Sequence, residues 1–279
     1  MNSQEKLLQM NEKGFLKSKI DIDNNFEDLI YFVKNNYKKF NNDRESKGYS
    51  NDIYKYLPSN LKDYLKKFSL EILTKNSWIR HYIFLPRLLS IQVLNTSFNL
   101  KAFNNPTHAM LWHRDADDLY HHIKVQVPLG EISKQNGIFS CADRKICSIN
   151  HKLVDKELYN NSINSNDEYR ASDKIRISDE KMHKYFKDQI YNFESNISDI
   201  LFIDTNYCYH RGGLIIDQSK TRNLLTITYG GVTHQWNKYF QNSKENYSVT
   251  KLFARSLKFY KKISLKLNGG VRKIPIILK

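Results

Sequence analysis

The chain has 279 residues, of which 40% are hydrophobic and 13% aromatic, so it can bury a sizeable core and is not a disordered chain. Its net charge of +15 favours anionic partners, but the 44 lysine and arginine residues are scattered and are typical of a solvated surface. No apolar run approaches the length of a membrane span and no secretory signal pattern opens the sequence, so we expect a cytoplasmic protein.

Residues 1–85 are predicted to be mainly helical. Apolar side chains recur at helical spacing after Phe26 and again after Leu61. The second series follows a proline and is predicted to begin with Ser59 or Asn60 as its N-cap. We expect these helices to buttress one face of a sheet.

The pattern changes to β from residue 86 to residue 235. Short alternating runs separated by turn residues indicate antiparallel hairpins, and so a mainly β fold with flanking helices. The predicted core is a double-stranded β-helix, the cupin-like jelly roll. Strands are predicted at 88–95, 109–115, 122–129, 138–141, 200–204 and 224–229.

Residues 148–196 interrupt this pattern. Their polar content predicts an insertion, with a helix that begins near Ser178. We expect the insertion to form part of a lid; a simple surface insertion is the alternative.

Four residues form an ordered set within the predicted strands: His113, Asp115, His210 and Arg222. Alternate residues of a strand share a face, so His113 and Asp115 would both point inward, and His210 would reach them from another strand. Two imidazoles and one carboxylate on one face of a metal leave three positions open, which suits non-haem Fe(II) that handles O2. Arg222 lies about one hairpin after His210, and its planar fork suits a carboxylate.

Two further histidines and the three cysteines have predictions of their own. His121 and His122 are adjacent and cannot both face one metal, so they are predicted to lie in a loop or at the surface. The three cysteines, Cys141, Cys147 and Cys208, have no metal-finger spacing and are predicted to be buried free thiols. Cys208 would share the face of His210, so lining of the pocket is an alternative role for it.

The chain resembles the phytanoyl-CoA dioxygenase family of Fe(II)/2-oxoglutarate-dependent oxygenases from about residue 10 to residue 235. The resemblance rests on residues 112–115, 136–139, 198–202 and 209–213, and on Arg222. Residues 11–16 also resemble the opening of the family, in which a Gly-Phe pair precedes a helix.

We expect residues 1–279 to form a single domain, because β-barrel and sandwich domains routinely reach this length, and the resemblance implies that this domain is an oxygenase. Fe(II) would be held by His113, Asp115 and His210, and Arg222 would bind the distal carboxylate of 2-oxoglutarate. Gln92 or Asn95 would hold the metal-side carboxylate. With O2 as co-substrate, the expected reaction is hydroxylation of a small, anionic metabolite or of an acyl- or sugar-linked substrate.

Three other functions stay open at this stage. Nucleic-acid demethylases of the same superfamily usually carry a second arginine six residues after the first, where this chain has Thr228, so nucleic acid is an unlikely partner. Jumonji-type protein demethylases usually place a lysine where Arg222 stands. The third alternative is a non-catalytic jelly-roll binding module.

Residues 236–279 are predicted to form a basic C-terminal extension outside the resemblance. Apolar residues at helical spacing, from Val249 to Ile263, alternate with lysines. We expect this stripe to dock on the domain. The alternative is weak peripheral contact with an anionic membrane.

Overall fold

The computed structural model describes residues 1–41, 50–104, 108–115, 121–147 and 177–233. All of them belong to one compact unit, Met1–His234. The predictions for the C-terminal extension and for residues 148–176 lie outside the described residues. None of the described helices is long and apolar enough to cross a membrane.

Two antiparallel sheets form the framework. Their strands are β1 (Phe15–Lys19), β2 (Ser50–Asp52), β3 (Ile83–Ser97), β4 (His121–Pro128), β5 (Phe139–Ala142), β6 (Ile190–Phe193), β7 (Asp199–Asp204), β8 (His210–Gly212) and β9 (Thr221–Thr233). The larger sheet has six strands in the order β1-β7-β4-β9-β3-β2, and the smaller has three in the order β6-β5-β8. The predicted double-stranded β-helix fold is therefore confirmed.

Helices α1 (Ser3–Lys13), α2 (Asn24–Asn41), α3 (Ser59–Lys75) and α4 (Trp78–Tyr82) pack against one face of the larger sheet. Further helices are α5 (Leu100–Asn104) and α6 (Asp179–Phe186), with short 3-10 helices at Tyr54–Tyr56, His108–Met110 and Lys187–Gln189. The buried stripes of α2 and α3 pack against Val125, Phe202 and Ile227 of the sheet. The Tyr229 hydroxyl also donates to the Ser69 carbonyl of α3, 2.6 Å away.

Alternation assigns the two faces of the larger sheet. Paired residues of antiparallel strands share a face, and along each strand the faces alternate. The odd-numbered residues in the middle of both strands, 123–127 of β4 and 225–229 of β9, are apolar and belong to the core cluster that includes the helices. The even-numbered residues face the interior between the two sheets, where Arg222, Thr226 and Thr228 are buried.

The N-terminal part differs from its prediction in two respects. Gly14, at a φ of 76°, caps the end of α1, and Phe15 begins strand β1 where a helix was expected. β1 pairs with β7, a partner almost two hundred residues away that no local pattern indicates. Helix α3 does begin at Ser59, but Pro58 is its N-cap, so the predicted cap by Ser59 or Asn60 is wrong.

The insertion predicted for residues 148–196 ends earlier than expected, because Ile190–Phe193 form strand β6 of the smaller sheet. The predicted helix is present as α6, with Ser178 as its N-cap. Met182 and Phe186 of α6 pack with Trp112 and Tyr209 on the outer side of the smaller sheet. This described part of the insertion is a buttress and not a lid over the interior.

Candidate metal centre

The structure brings His113, Asp115 and His210 together as one potential metal site. One ligand atom from each residue lies within 4.8 Å of the others. The Nε2 atoms of His113 and His210 are 3.8 and 3.7 Å from the two carboxylate oxygens of Asp115. Among the described residues, this is the one group of three metal-ligating side chains at such distances.

Backbone carbonyls hold both imidazoles in the orientation that a metal requires. His113 Nδ1 lies 2.9 Å from the Leu111 oxygen, and His210 Nδ1 lies 3.1 Å from the Cys208 oxygen. When Nδ1 carries the proton and donates it to the carbonyl, Nε2 is left with a free lone pair. Such outer contacts fix the tautomer and the ring position of metal-binding histidines.

The chain segments that carry the ligands are themselves joined. His113 and His210 form a β-bridge through reciprocal backbone hydrogen bonds of 3.0 and 2.9 Å, and the Asp115 amide donates to the Thr205 oxygen at 2.8 Å. The predicted strand at 109–115 is wrong in detail, because residues 108–110 are a 3-10 helix and only isolated bridges follow. The local pairing still points both His113 and Asp115 toward His210.

The immediate surroundings keep Asp115 ionised. Burial on its own would raise the pKa of this carboxyl, but His210, Lys124 and His113 outweigh that effect and lower its pKa. Of these three residues, Lys124 lies closest to the carboxylate, with its Nζ 2.6 Å from Asp115 Oδ2. Sequence reasoning missed Lys124, although its even position in β4 places it on the inner face.

Arg222 is buried in the same interior and is seated on two glycine-containing segments. Its Nη1 donates to the carbonyl oxygens of Gly137 and, at 3.1 Å, Gly213. These segments cross so closely that a Cβ on Gly213 would lie 2.3 Å from the Ile138 oxygen. Gly137 has a φ of +89°, and a Cβ there would lie 2.8 Å from Arg222 Nη1. The sequence motifs around Gly137 and Gly213 therefore build the seat of Arg222.

Arg211, which follows His210 in the sequence, is directed away from the three metal-ligating side chains. Its guanidinium pairs with Asp179 at 2.6 Å and lies over the Trp112 ring. Asp179 also accepts a hydrogen bond of 2.7 Å from Trp112 Nε1. Because Trp112 precedes His113 and Arg211 follows His210, Asp179 ties both ligand-bearing segments to the start of α6.

The two residues predicted to hold the metal-side carboxylate lie on opposite faces of β3. Gln92 pairs in register with Thr226 and shares the inner face with Arg222. Asn95 pairs with Asn223, donates to its side-chain oxygen, and faces the helices. The prediction for Asn95 is wrong because its side chain lies on the opposite face of the sheet from Arg222. The residue of β3 that pairs with Arg222 is Thr96, one position further along.

His121 is neither a loop nor a surface residue, so that prediction is also wrong. It begins β4 and is buried, with its Nε2 2.6 Å from Asp204 Oδ2. The fully buried Asp204 carboxylate also accepts a hydrogen bond from Tyr82 and, at 3.2 Å, one from the Tyr207 amide. This network fixes the turn that precedes His210.

The three cysteines are buried free thiols, as predicted. Cys208 packs against Cys141 and Phe139 in an apolar cluster between the two sheets. A Cβ on Gly14 would lie 2.3 Å from its sulfur, so the thiol fills the space that this glycine leaves.

Comparisons with known proteins show similarity at the level of the fold. No protein-family model matches the sequence, and no curated protein matches it. Among solved structures, HygX from Streptomyces hygroscopicus, crystallised with nickel and 2-oxoglutarate, is 14% identical with a TM-score of 0.53. The match covers 83% of this chain and 88% of HygX.

Two further structures match over a similar part of the chain. The epimerase SnoN, in complex with Fe3+, alpha ketoglutarate and nogalamycin RO, is 10% identical with a TM-score of 0.53. The match covers 82% of this chain and 83% of SnoN. EvdMO1 is 11% identical with a TM-score of 0.54; the match covers 82% of this chain but only 50% of EvdMO1.

Proposed function

We propose that this protein is a non-haem Fe(II)- and 2-oxoglutarate-dependent oxygenase. The observation that carries the proposal is the convergence of His113, Asp115 and His210 in the same interior as a buried arginine, Arg222. Structures with this fold bind Ni or Fe3+ together with 2-oxoglutarate. The donor set of two imidazoles and one carboxylate fits Fe(II) and leaves three positions open for other ligands.

The chain's own residues divide the binding work. The two Nε2 atoms and one oxygen of Asp115 would hold the metal, and the carbonyls of Leu111 and Cys208 keep the two imidazoles in place. Bound Fe(II) would supply O2 activation, with 2-oxoglutarate oxidised to succinate and CO2.

Arg222 would bind the distal carboxylate of 2-oxoglutarate. Its guanidinium is held from one side by the carbonyls of Gly137 and Gly213 and is almost completely enclosed. In such a place a bidentate, charge-assisted pair with a carboxylate is strong. Gln92 remains a candidate for the metal-side carboxylate because it lies on the same inner face.

We propose hydroxylation of a small, anionic or acyl- or sugar-linked metabolite as the reaction, in line with the resemblance to the phytanoyl-CoA dioxygenase family. Asp115 supports this outcome because it supplies the carboxylate ligand that halogenating relatives lack. Epimerisation is the second candidate, since SnoN shares the fold and is an epimerase. Thr228 points into the interior where nucleic-acid demethylases usually have a second arginine, which disfavours that function.

Succinate formation tests the proposal. The purified protein, supplied with Fe(II), 2-oxoglutarate and O2, should form succinate slowly even without its primary substrate, and adding a metal chelator should stop the reaction. His210→Ala should form none, whereas His81→Ala, which changes an exposed histidine of α4, should match the wild type. Succinate formation by His210→Ala at the wild-type rate would overturn the assignment.

A further inference from the structure

A lysine stands directly beside the proposed metal position. Lys124 Nζ lies 2.6 Å from Asp115 Oδ2, and its side chain is about three-quarters buried, with 26% of its surface exposed. Its partners in register are Thr228 on β9 and Ile203 on β7, so its side chain is on the inner face.

This ammonium has two opposite electrostatic effects on the ligands of the site. It neutralises Asp115 and adds a positive charge close to where a divalent cation would bind, so it opposes binding of the metal alone. An anion that joins the metal brings negative charge next to the same ammonium and is favoured by it. Both effects are strong because charges in a partly buried site are screened less than at the surface.

We propose that Lys124 makes the binding of metal and of the dianionic co-substrate cooperative. The metal-free site pairs Lys124 with Asp115. Metal binding withdraws the Asp115 carboxylate from Lys124 and leaves the ammonium free to pair with an anion. The ammonium pairs with 2-oxoglutarate more readily once Asp115 has released it, so each ligand strengthens the binding of the other by the same factor. The inference rests on the proposed function.

The test compares the affinity of the full chain for Ni(II) with and without saturating 2-oxoglutarate, by titration calorimetry. The ratio of the two dissociation constants is the coupling factor, and couplings between sites typically span about 5- to 150-fold. In Lys124→Met we expect this factor to fall about tenfold, with Ni(II) alone bound as tightly as by the wild type or more tightly. Lys124→Arg keeps the charge and should retain most of the coupling.

Lys67→Met is the matched control, because it removes one exposed lysine of α3 and should leave the coupling unchanged. Thermal melting of each variant shows that it is folded. If Lys124→Met weakens Ni(II) binding in the absence of 2-oxoglutarate, Lys124 only orients Asp115 and the inference is wrong. An unchanged coupling factor overturns it as well. Failure of the wild type to bind Ni(II) would instead overturn the proposed function.

Discussion

The two faces of the larger sheet place very different demands on the same strands. On the helix side, Val125, Ile227 and Tyr229 are fully enclosed by apolar neighbours. On the inner side, the next residues along the chain include Thr226 and Thr228, which are buried but polar. Burying polar groups costs free energy unless they find hydrogen-bond partners. The apolar face explains why the domain folds, whereas the polar face is explained by the ligands that we propose for it.

The largest expected effect comes from removing an imidazole. His113→Ala should weaken Fe(II) binding by at least about 100-fold, in line with effects of about 10- to 100-fold for removing only an outer contact of a ligand. Anaerobic equilibrium titration of Fe(II) measures this change. His81→Ala on α4 is the control, since an equal loss there would mean that the metal binds elsewhere.

The second largest effect is expected from removing the guanidinium of Arg222 on the inner face. Arg222→Ala should lower the affinity for 2-oxoglutarate by roughly 2–5 kcal/mol, which is about thirty- to several-thousand-fold, because a buried charge pair is lost. Calorimetry on the metal-loaded protein measures it, and metal affinity should survive. Arg211→Ala removes a guanidinium that pairs with Asp179 and is directed away from the metal ligands. The affinity of this variant for 2-oxoglutarate should therefore stay within about threefold of the wild-type value. The opposite ranking of the two variants would contradict the assignment of Arg222.

Ile227→Ala tests the helix-facing side. Ile227 is fully buried in the core cluster, and truncation of such a side chain costs about 2–5 kcal/mol of unfolding free energy through lost burial and a residual cavity. Chemical denaturation should show this loss, while the affinity of the folded variant for 2-oxoglutarate remains unchanged. A large fall in affinity for 2-oxoglutarate without a loss of stability would contradict the division of the sheet into a stabilising face and a ligand-binding face.

Thr226→Val is the complementary change on the inner side and should have the smallest effect. The Thr226 hydroxyl is buried, and the described residues offer it no hydrogen-bond partner. Valine has the same shape without the buried polar group, so stability should be unchanged or higher by about 1 kcal/mol. Affinity for 2-oxoglutarate or substrate should fall, by less than about tenfold. Chemical denaturation measures the stability of this variant and calorimetry measures its affinity for 2-oxoglutarate. A marked loss of stability would mean that the hydroxyl stabilises the fold.

Local sequence patterns were sufficient for the features that depend on alternation and chain order. His113 and Asp115 are two positions apart and His210 follows the next core strands, so the ordered set could be recognised without coordinates. The strands β3, β4, β5, β7 and β9 were predicted within a few residues, except that β3 and β9 extend further. Their apolar alternation is a local property, which the sequence displays directly.

Features that depend on long-range partners could not be predicted in this way. His121 was predicted to be a surface residue, but it pairs with the buried Asp204, which is 83 residues away in the sequence. Asn95 was misassigned because a one-residue change in register moves a side chain to the other face. Lys124 could not be separated from the many other basic residues until the fold placed its ammonium against Asp115.

The central claim is that one interior binds a metal through His113, Asp115 and His210 and, next to it, a dicarboxylate through Arg222. Anaerobic calorimetric titration of 2-oxoglutarate into Fe(II)-loaded and metal-free protein tests this claim most directly. We predict one binding site per chain in the Fe(II)-loaded protein and binding at least about tenfold weaker without metal. Equal affinity in both states, or no binding to the Fe(II)-loaded protein, would contradict it.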